Sequence, residues 1–370
     1  MKGRIVLLLE EGHGLPTMAA LLDDGKLTDI LVDWPEDDPT PRPGAVHRAR
    51  ITRLMPGMGA AFLDLGDGTE GFMKGAAAKG WKAGDTLLAQ VSRVAEPGKA
   101  VPCNDEPLFK GRYAILTPHA PGINVARKIR DEDERARLKA ATEAALEELG
   151  LLAAEQAESA DAPGVIIRTG AEGAPLEAIE DDVRQLAELH AAALAAPKDE
   201  IGEVVAAASA EVQAWRDWTD PYPEHVESGG PDLFEHFGVW DAIEALRSPR
   251  VDLGEGGAWM SVEPTSALVA VDVNTGGATS PAAGLRANLA AAAALPTQLR
   301  LRGLGGQIVL DVAPMGKRDR PKFESALKKA LRADPIETTF VGWTPLGNAE
   351  LLRKRERRPL RALLRGPLPG

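Results

Sequence analysis

Two short apolar runs in the last third of the chain restrict its fold more than any other feature. They cover residues 267–274 and 307–313, and the stretch 285–301 between them has helical periodicity. A strand, a helix and a second strand in this order predict a right-handed crossover with two parallel strands close together. Each run also contains one aspartate, Asp272 or Asp311. Because ionised aspartates are rarely buried unless they are paired or bind a metal, the two runs indicate an anionic pocket.

The aspartate pair predicts a site for a hard divalent cation. Oxygen ligands without histidine or cysteine neighbours favour Mg²⁺, with Mn²⁺ as a second candidate, and Mg²⁺ uses one or two carboxylates plus water and substrate phosphate. Asn274 lies two residues beyond Asp272 on the same strand face, where its amide can hold the carboxylate in place. Phosphodiester cleavage is the reaction class that follows. The alternative is that aspartates at strand ends only cap helices or form turns.

The rest of the last third alternates strand-like and helical segments. Strands are predicted at 259–262, 267–273, 307–312 and 338–342, and helices at 233–246, 285–301, 321–331 and 348–364. In such an α/β sheet the functional crevice lies outside the carboxyl ends of the strands, where both aspartates fall. The last helix contains a basic run, 353–358, followed by Arg361 and Arg365. This run either tracks phosphates or forms a solvated helix face.

Short strands dominate the first hundred residues. After strand-like runs in residues 1–43, the segment 44–102 contains β runs whose spacing predicts a small barrel of about five strands. Residues 66–71 formally match the G-x-G-x-x-G dinucleotide pattern, but a strand follows them instead of a helix, so a hairpin turn at Asp67-Gly68 is the better interpretation. Phe62 and Phe72 flank this turn. They form a base-stacking platform if they share an outward face, and otherwise belong to the barrel core.

The middle of the chain is predicted to be helical, with helices at 131–152, 176–194 and 200–215. A β run at 164–170 lies between the first two helices and ends in Arg168-Thr169-Gly170. A guanidinium and a hydroxyl beside a glycine turn can hold a phosphate, although this signal is weak by itself.

Composition excludes several classes of protein. A length of 370 residues predicts two or three domains. Cys103 is the only cysteine, which excludes an internal disulfide and a Cys-x-x-Cys zinc site. No secretory leader and no membrane span are predicted, so a cytoplasmic location is expected. The net charge of -12 argues against a uniformly basic nucleic-acid binder, and no serine-hydrolase elbow, Walker lysine loop or zinc-protease motif occurs.

The two aspartates lie in a longer pattern that consists of the string 269–276, then Asn288-Leu289-Ala290, then 298–311. This pattern resembles the catalytic core of the bacterial ribonuclease E/G family. Residues 48–54, 60–64 and 71–73 resemble its RNA-binding OB fold, and 164–170 resembles its segment that senses the RNA 5′ end. The order of these parts agrees along most of the chain, from the N-terminus to about residue 358.

The resemblance implies an α/β multidomain fold with an RNase-H-like segment that is split by an inserted OB-fold barrel, a 5′-sensor subdomain and a deoxyribonuclease-I-like catalytic subdomain. The corresponding ranges are 1–43 with about 200–250 for the RNase-H-like segment, 44–102 for the OB fold, 103–199 for the sensor, and 251–370 for the catalytic subdomain with its basic C-terminal helix.

The resemblance also implies roles for individual residues. Asp272 and Asp311 would bind a catalytic Mg²⁺ with the support of Asn274, and the products would carry 5′-phosphate and 3′-hydroxyl ends. Residues implied to contact a 5′ monophosphate are Arg168, Thr169, Arg127, Gly111 and Ile115, and those implied to contact single-stranded RNA are Phe62, Phe72 and Lys99.

Two of the chain's departures from the family pattern concern the metal site and the assembly of subunits. Pro314 stands where the family usually has a second acidic residue after Asp311, and the Cys-Pro-x-Cys zinc-link that joins two subunits has no counterpart. No zinc site and no zinc-linked dimer are therefore expected. The sequence predicts a Mg²⁺-dependent, single-strand-specific ribonuclease acting in RNA processing or turnover. The alternative is an RNA-binding protein of the same architecture with lost or narrowed cleavage, for example in the maturation of ribosomal RNA precursors.

Overall fold

A computed structural model describes residues 3–12, 14–75, 80–151, 163–218, 222–278 and 280–369. The chain is a mixed α/β protein that divides into two compact units. Unit 1 comprises Met1–Pro35 with His225–Gly370, and unit 2 comprises Glu36–Glu224. Unit 2 is thus an insertion between two parts of unit 1.

Unit 1 begins with a four-stranded sheet that joins the two parts of its sequence. Its strands are β1 (Arg4–Leu9), β2 (Met18–Asp23), β3 (Lys26–Val32) and β14 (His225–Gly229), in the order β14-β1-β2-β3. Strand β14 pairs with β1 in parallel. Two short helices, α4 (Pro231–His236) and α5 (Val239–Ala245), contribute the buried side chains of Phe234 and Trp240 to the core of this sheet.

The second sheet of unit 1 carries the two aspartates. Its strands are β15 (Arg250–Asp252), β16 (Trp259–Pro264), β17 (Val269–Asn274), β18 (Gly306–Asp311), β19 (Thr338–Trp343) and β20 (Ala349–Arg353), in the order β15-β16-β17-β18-β20-β19. Strands β17 and β18 are parallel neighbours joined through helix α6 (Pro281–Leu301), so the predicted parallel pairing is confirmed. Helix α7 (Arg320–Ala333) joins β18 to β19.

This second sheet is covered by apolar packing on one face only. Alternate residues of β17, such as Val271 and Val273, are buried in one core with Phe323 of α7, and the residues between them are partly or fully exposed. The two aspartates of the predicted anionic pocket are therefore exposed, not buried. Asp272 and Asp311 point to the open face, because side chains alternate along a strand and the core occupies the other face.

Unit 2 begins with the predicted five-stranded barrel. The strands are β4 (Val46–Met55), β5 (Ala60–Asp64), β6 (Glu70–Lys74), β7 (Thr86–Val91) and β8 (Val101–Asn104), and pairing of β4 with β7 closes the barrel. The hairpin turn is also confirmed, since Asp67 and Gly68 both have positive φ and the N–H of Thr69 donates to the carbonyl of Gly66. Strand β13 (Gly202–Val205) adds to β4 outside the closed barrel.

The rest of unit 2 is a small sheet packed against two helices. The strands are β9 (Phe109–Lys110), β10 (Ala114–Thr117), β11 (Gly122–Val125) and β12 (Gly164–Ile167), and the helices are α1 (Glu132–Glu148) and α2 (Leu176–Ala195). Leu116 and Ile167 of the sheet and Leu138 and Val183 of the helices are fully buried in their common core. A further helix, α3 (Ala210–Asp217), follows β13.

Two helix predictions were partly wrong, and local backbone preferences explain both differences. The segment predicted as one helix at 200–215 contains strand β13 and then α3, which begins where the Ser209 hydroxyl accepts from the Val212 N–H. The segment predicted as one helix at 233–246 is interrupted by Gly238, whose φ of 67° is left-handed and ends the helical path.

The predicted basic helix at 348–364 was also wrong. Residues Ala349–Arg353 of this segment form strand β20, and Leu360–Leu363 form a short helix, α8. Arg353 and Arg357 do not form a solvated face, because Arg353 binds Asp334 and Arg357 binds Asp29 inside unit 1. Both carboxylates also pair with Arg300 of α6. Arg353 and Arg357 therefore belong to a structural ion-pair network, which is a role other than tracking phosphates.

Candidate active site

Asp272 and Asp311 face each other across two parallel strands. They are register partners at the carboxyl-terminal part of β17 and β18, where neighbouring strands lie about 4.8 Å apart. Among the described residues, the carboxylate of Asp272 accepts one hydrogen bond, from the Nδ2 of Asn274 at 2.8 Å, and the carboxylate of Asp311 accepts none. Over the described ranges, neither carboxylate has a lysine or arginine partner. Two adjacent negative charges without a cation fit a divalent metal ion.

The metal donor set is incomplete without water or substrate. Within the residues that the structure describes, no three histidine, cysteine or acidic side chains cluster as potential metal ligands. A two-carboxylate site matches Mg²⁺, which keeps several waters and binds substrate phosphate as well. Cys103 offers no nucleophile in its place, because burial raises the pKa of its thiol to about 12.

Helix α6 fixes the segment that follows Asp311. The fully buried side chain of Asn288 accepts from the Ala313 N–H at 2.9 Å and donates to the Ala313 carbonyl at 2.8 Å. Gly284 lies so close to this segment that a Cβ would be 2.1 Å from the carbonyl oxygen of Pro314. This role of Asn288 was not predictable from the sequence, because it depends on a contact between helix α6 and the segment that follows strand β18. Asn288 thus positions the backbone beside Asp311.

The open face of the sheet continues from the aspartates to two residues that sequence reasoning missed. Ser261 of β16 is the register partner of Asp272, and Arg250 of β15 is the register partner of Ser261. The guanidinium of Arg250 lies 4.6 Å from the ring centroid of Trp259, which pairs with Asn274. A cation and an aromatic ring next to the aspartate pair could hold a phosphate and a base.

A polar cavity of 280 Å³ surrounds Arg168 and Thr169 in unit 2. Arg112 and Arg216 also line it, so three guanidinium groups face one carboxylate, that of Asp217. Arg168 donates to Asp217 at 2.7 Å and to the Gly111 carbonyl at 2.6 Å. Burial raises the pKa of Asp217, but hydrogen bonds from Arg216 and Arg168 outweigh this and hold it below its usual range. The excess positive charge makes the cavity suitable for a phosphate.

Three further residues proposed for phosphate sensing lie at or beyond this cavity. Gly111 contributes its carbonyl, and its missing Cβ leaves room for Asp182, whose carboxylate accepts from the N–H groups of residues 112–114. Ile115 lies on β10, and Arg127 is exposed just after β11. None of Gly111, Ile115 and Arg127 is among the described residues that line the cavity.

Phe62 and Phe72 share the outward face of the barrel. They are register partners on β5 and β6, their ring centroids are 5.4 Å apart, and both are half-buried. The guanidinium of Arg53 lies 4.4 Å from the Phe62 centroid. The interpretation as core residues was therefore wrong, because Leu63 and Met73 occupy the interior. Lys99 lies in the loop between β7 and β8, where it is ion-paired with Glu96 at 2.7 Å.

No helix in the described ranges is both long enough and apolar enough to cross a membrane.

Comparison with known proteins places the chain in a family. The model of the "Ribonuclease E/G family" matches residues 109–222 and 196–356. Ribonuclease G of Haemophilus influenzae is 26% identical over 94% of this chain and 79% of its own length. Ribonuclease E of a Nostoc species is 29% identical over 85% of this chain and 51% of its own length, and ribonuclease G of Escherichia coli is 26% identical over 95% and 80%. The chain therefore belongs to the ribonuclease E/G family and is classed with its ribonucleases.

Proposed function

We propose that this member of the family cleaves single-stranded RNA with Mg²⁺, leaving 5′-phosphate and 3′-hydroxyl ends. The observation that carries the proposal is the register-matched pair Asp272 and Asp311, which has no cationic partner among the described residues. Mn²⁺ has the same preference for oxygen ligands and is expected to substitute. Ribosomal RNA precursors are one candidate substrate.

The chain's own residues would prepare this site in three ways. Asp272 and Asp311 would hold the ion, and Asn274 orients the carboxylate of Asp272 by its hydrogen bond. Asn288 fixes the backbone that follows Asp311, which limits how far that carboxylate can move. When bound, Mg²⁺ supplies a water of lowered pKa and stabilises charge on phosphate oxygens. Arg250 and Trp259 would contact the RNA on the same face of the sheet.

The subdomain types are part of the same proposal. The four-stranded sheet β14-β1-β2-β3 would be the RNase-H-like segment, and the six-stranded sheet with its open face would be the deoxyribonuclease-I-like catalytic subdomain. The closed barrel would be the OB fold that binds RNA, and the sheet around β12 would be the 5′ sensor.

The direct test is cleavage of a 5′-monophosphorylated single-stranded RNA with and without Mg²⁺. We expect internal fragments that appear only with the divalent ion, and no cleavage of the same RNA in a duplex. Release of single nucleotides from one end would contradict endonucleolytic cleavage. RNA binding without Mg²⁺-dependent products would favour the alternative, an RNA-binding protein with lost or narrowed cleavage, for which Pro314 beside the site is the specific observation.

A substitution at Arg168 tests the phosphate cavity. We expect Arg168→Ala to lower the preference for 5′-monophosphorylated over 5′-hydroxyl RNA by about tenfold or more, since a charge-assisted hydrogen bond contributes about 1.5–3 kcal/mol. The measurement is the ratio of kcat/KM for the two RNAs. Arg184→Ala is the matched control, because Arg184 pairs with Glu148 and Asp181 on the surface of the same unit. Equal slowing of both RNAs would remove the sensing role from Arg168.

A substitution on the barrel tests base stacking. We expect Phe62→Ala to weaken binding of a single-stranded oligonucleotide by about 5- to 150-fold, because stacking on an aromatic ring contributes roughly 1–3 kcal/mol per base. Phe62→Trp should restore binding, since any aromatic face can stack. Fluorescence anisotropy in the absence of divalent ions measures binding without cleavage. Val212→Ala, at an exposed apolar residue of α3, is the control. Unchanged affinity for Phe62→Ala would contradict the platform.

A further inference from the structure

A second cavity, of 590 Å³, lies within unit 1 and is not lined by either aspartate. Its volume is in the range of small-molecule sites. Most of its wall is aliphatic, with Leu246, Val262, Leu304, Leu360 and Leu364 among the lining residues. The proposed cleavage reaction does not use this cavity.

One buried cation lines the cavity. Arg302 is only 7% exposed, and burial lowers the pKa of its guanidinium to about 10. Its recorded partners are all neutral: the Ser248 carbonyl at 3.0 Å, the Gln298 carbonyl at 3.5 Å, and the Gln298 side-chain oxygen. These three acceptors satisfy part of the five N–H donors of the guanidinium, and none of the three carries a negative charge. A buried guanidinium that lacks a carboxylate partner is costly unless a ligand supplies the negative charge.

The backbone around Arg302 is fixed, so the cation is held in place at the cavity wall. Its carbonyl accepts from the Leu360 N–H at 3.1 Å. The next residue, Gly303, has a left-handed φ of 64°, and a Cβ there would lie 2.2 Å from the Arg358 carbonyl oxygen. The turn after α6 is thus packed directly against the segment that leads into α8, another part of the wall.

The charge and composition of the lining define the chemistry of an occupant. Arg247 and Arg361 also line the cavity, and Arg247 is ion-paired with Glu244 at 3.0 Å. Glu263 is the one acidic side chain among the described lining residues, so the lining contains more arginines than carboxylates. None of these described lining residues is aromatic, so a nucleobase would find no stacking partner. A ligand with an aliphatic body and one negatively charged end matches both the arginines and the non-aromatic wall.

We propose that this cavity binds a small aliphatic carboxylate, with its chain among the leucine and valine side chains and its carboxylate on Arg302. This site is separate from the proposed cleavage site, and its occupation does not depend on RNA.

Calorimetric titration with octanoate tests the site, with 1-octanol as the uncharged probe of equal chain length. We expect saturable binding of octanoate to the intact protein, and at least tenfold weaker binding of 1-octanol. Arg302→Met should reduce octanoate affinity at least tenfold and leave 1-octanol affinity unchanged, because only the carboxylate uses the guanidinium. Arg184→Met is the control for loss of a surface arginine.

Because Arg302→Met removes structural hydrogen bonds, Ala362→Trp provides a second test. Ala362 lines the cavity from α8, and the larger ring should fill it and abolish binding of both probes. Absence of saturable octanoate binding to the wild type would overturn the proposal, as would undiminished binding in Ala362→Trp or in folded Arg302→Met. Binding of a peptide with an apolar C-terminal residue, without binding of octanoate, would overturn it too and assign the cavity to a protein partner.

Discussion

Replacing Asp272 or Asp311 by asparagine is expected to reduce Mg²⁺-dependent RNA cleavage about 1,000-fold or more, which corresponds to about 4 kcal/mol of transition-state stabilisation. Asparagine preserves size and hydrogen bonding but removes the negative charge that holds the ion. The open face is exposed at both positions, so neither substitution should disturb the core beneath them. Cleavage rates under single-turnover conditions, measured over a range of Mg²⁺ concentrations, provide the test.

The control for these variants is Glu263→Gln. Glu263 is an exposed acidic residue on the same sheet, and its register partner is Ala270, two residues before Asp272. The Glu263→Gln variant should retain near wild-type cleavage, because the proposed metal site requires the Asp272 and Asp311 pair and not the general negative charge of the face. Retention of full activity in both aspartate variants, with unchanged Mg²⁺ dependence, would be incompatible with the proposed metal site.

The sequence predicted the core of the site because its signals are local. Only neighbouring residues are needed to recognise the alternation within 267–274 and 307–313 and the helical period between them. The parallel pairing of β17 with β18 then follows from the crossover rule. The hydrogen bond between Asn274 and Asp272 was predictable for the same reason, since residues two apart on a strand share a face.

The exposure of the aspartates was not predictable from the same pattern. Runs rich in valine and leucine fit a strand buried on both faces as well as a strand buried on one, and only the positions of α6 and α7 distinguish them. The contact between Asn288 and Ala313, like the row from Arg250 to Asp272, joins residues far apart in sequence. Such contacts depend on the tertiary fold and leave no periodic signal.

The structure at the end of the chain was predicted incorrectly because the prediction relied on residue composition and did not include strand pairing. Arginine and leucine favour a helix, yet residues 349–353 form a strand that pairs with both β18 and β19. Partners on two sides provide hydrogen bonds and bury Leu351, whereas an isolated helix would leave its arginines in water. The same strand places Arg353 in the interior. A run of charged residues in the sequence predicts an exposed position instead.

Removing the carboxylate of Asp334 is expected to destabilise the protein by about 3–5 kcal/mol, because breaking a buried ion pair leaves uncompensated charge in the interior. The side chains of Asp334 and Arg353 are 1% and 0% exposed, their closest atoms are 2.9 Å apart, and Asp334 also pairs with Arg300. Urea unfolding of Asp334→Ala, followed by circular dichroism, should show a lower midpoint. Asp181→Ala removes an exposed partner of Arg184 and should leave the midpoint unchanged. Equal midpoints for Asp334→Ala and the wild type would mean that water or other groups compensate the two arginines, and that the network does not stabilise unit 1.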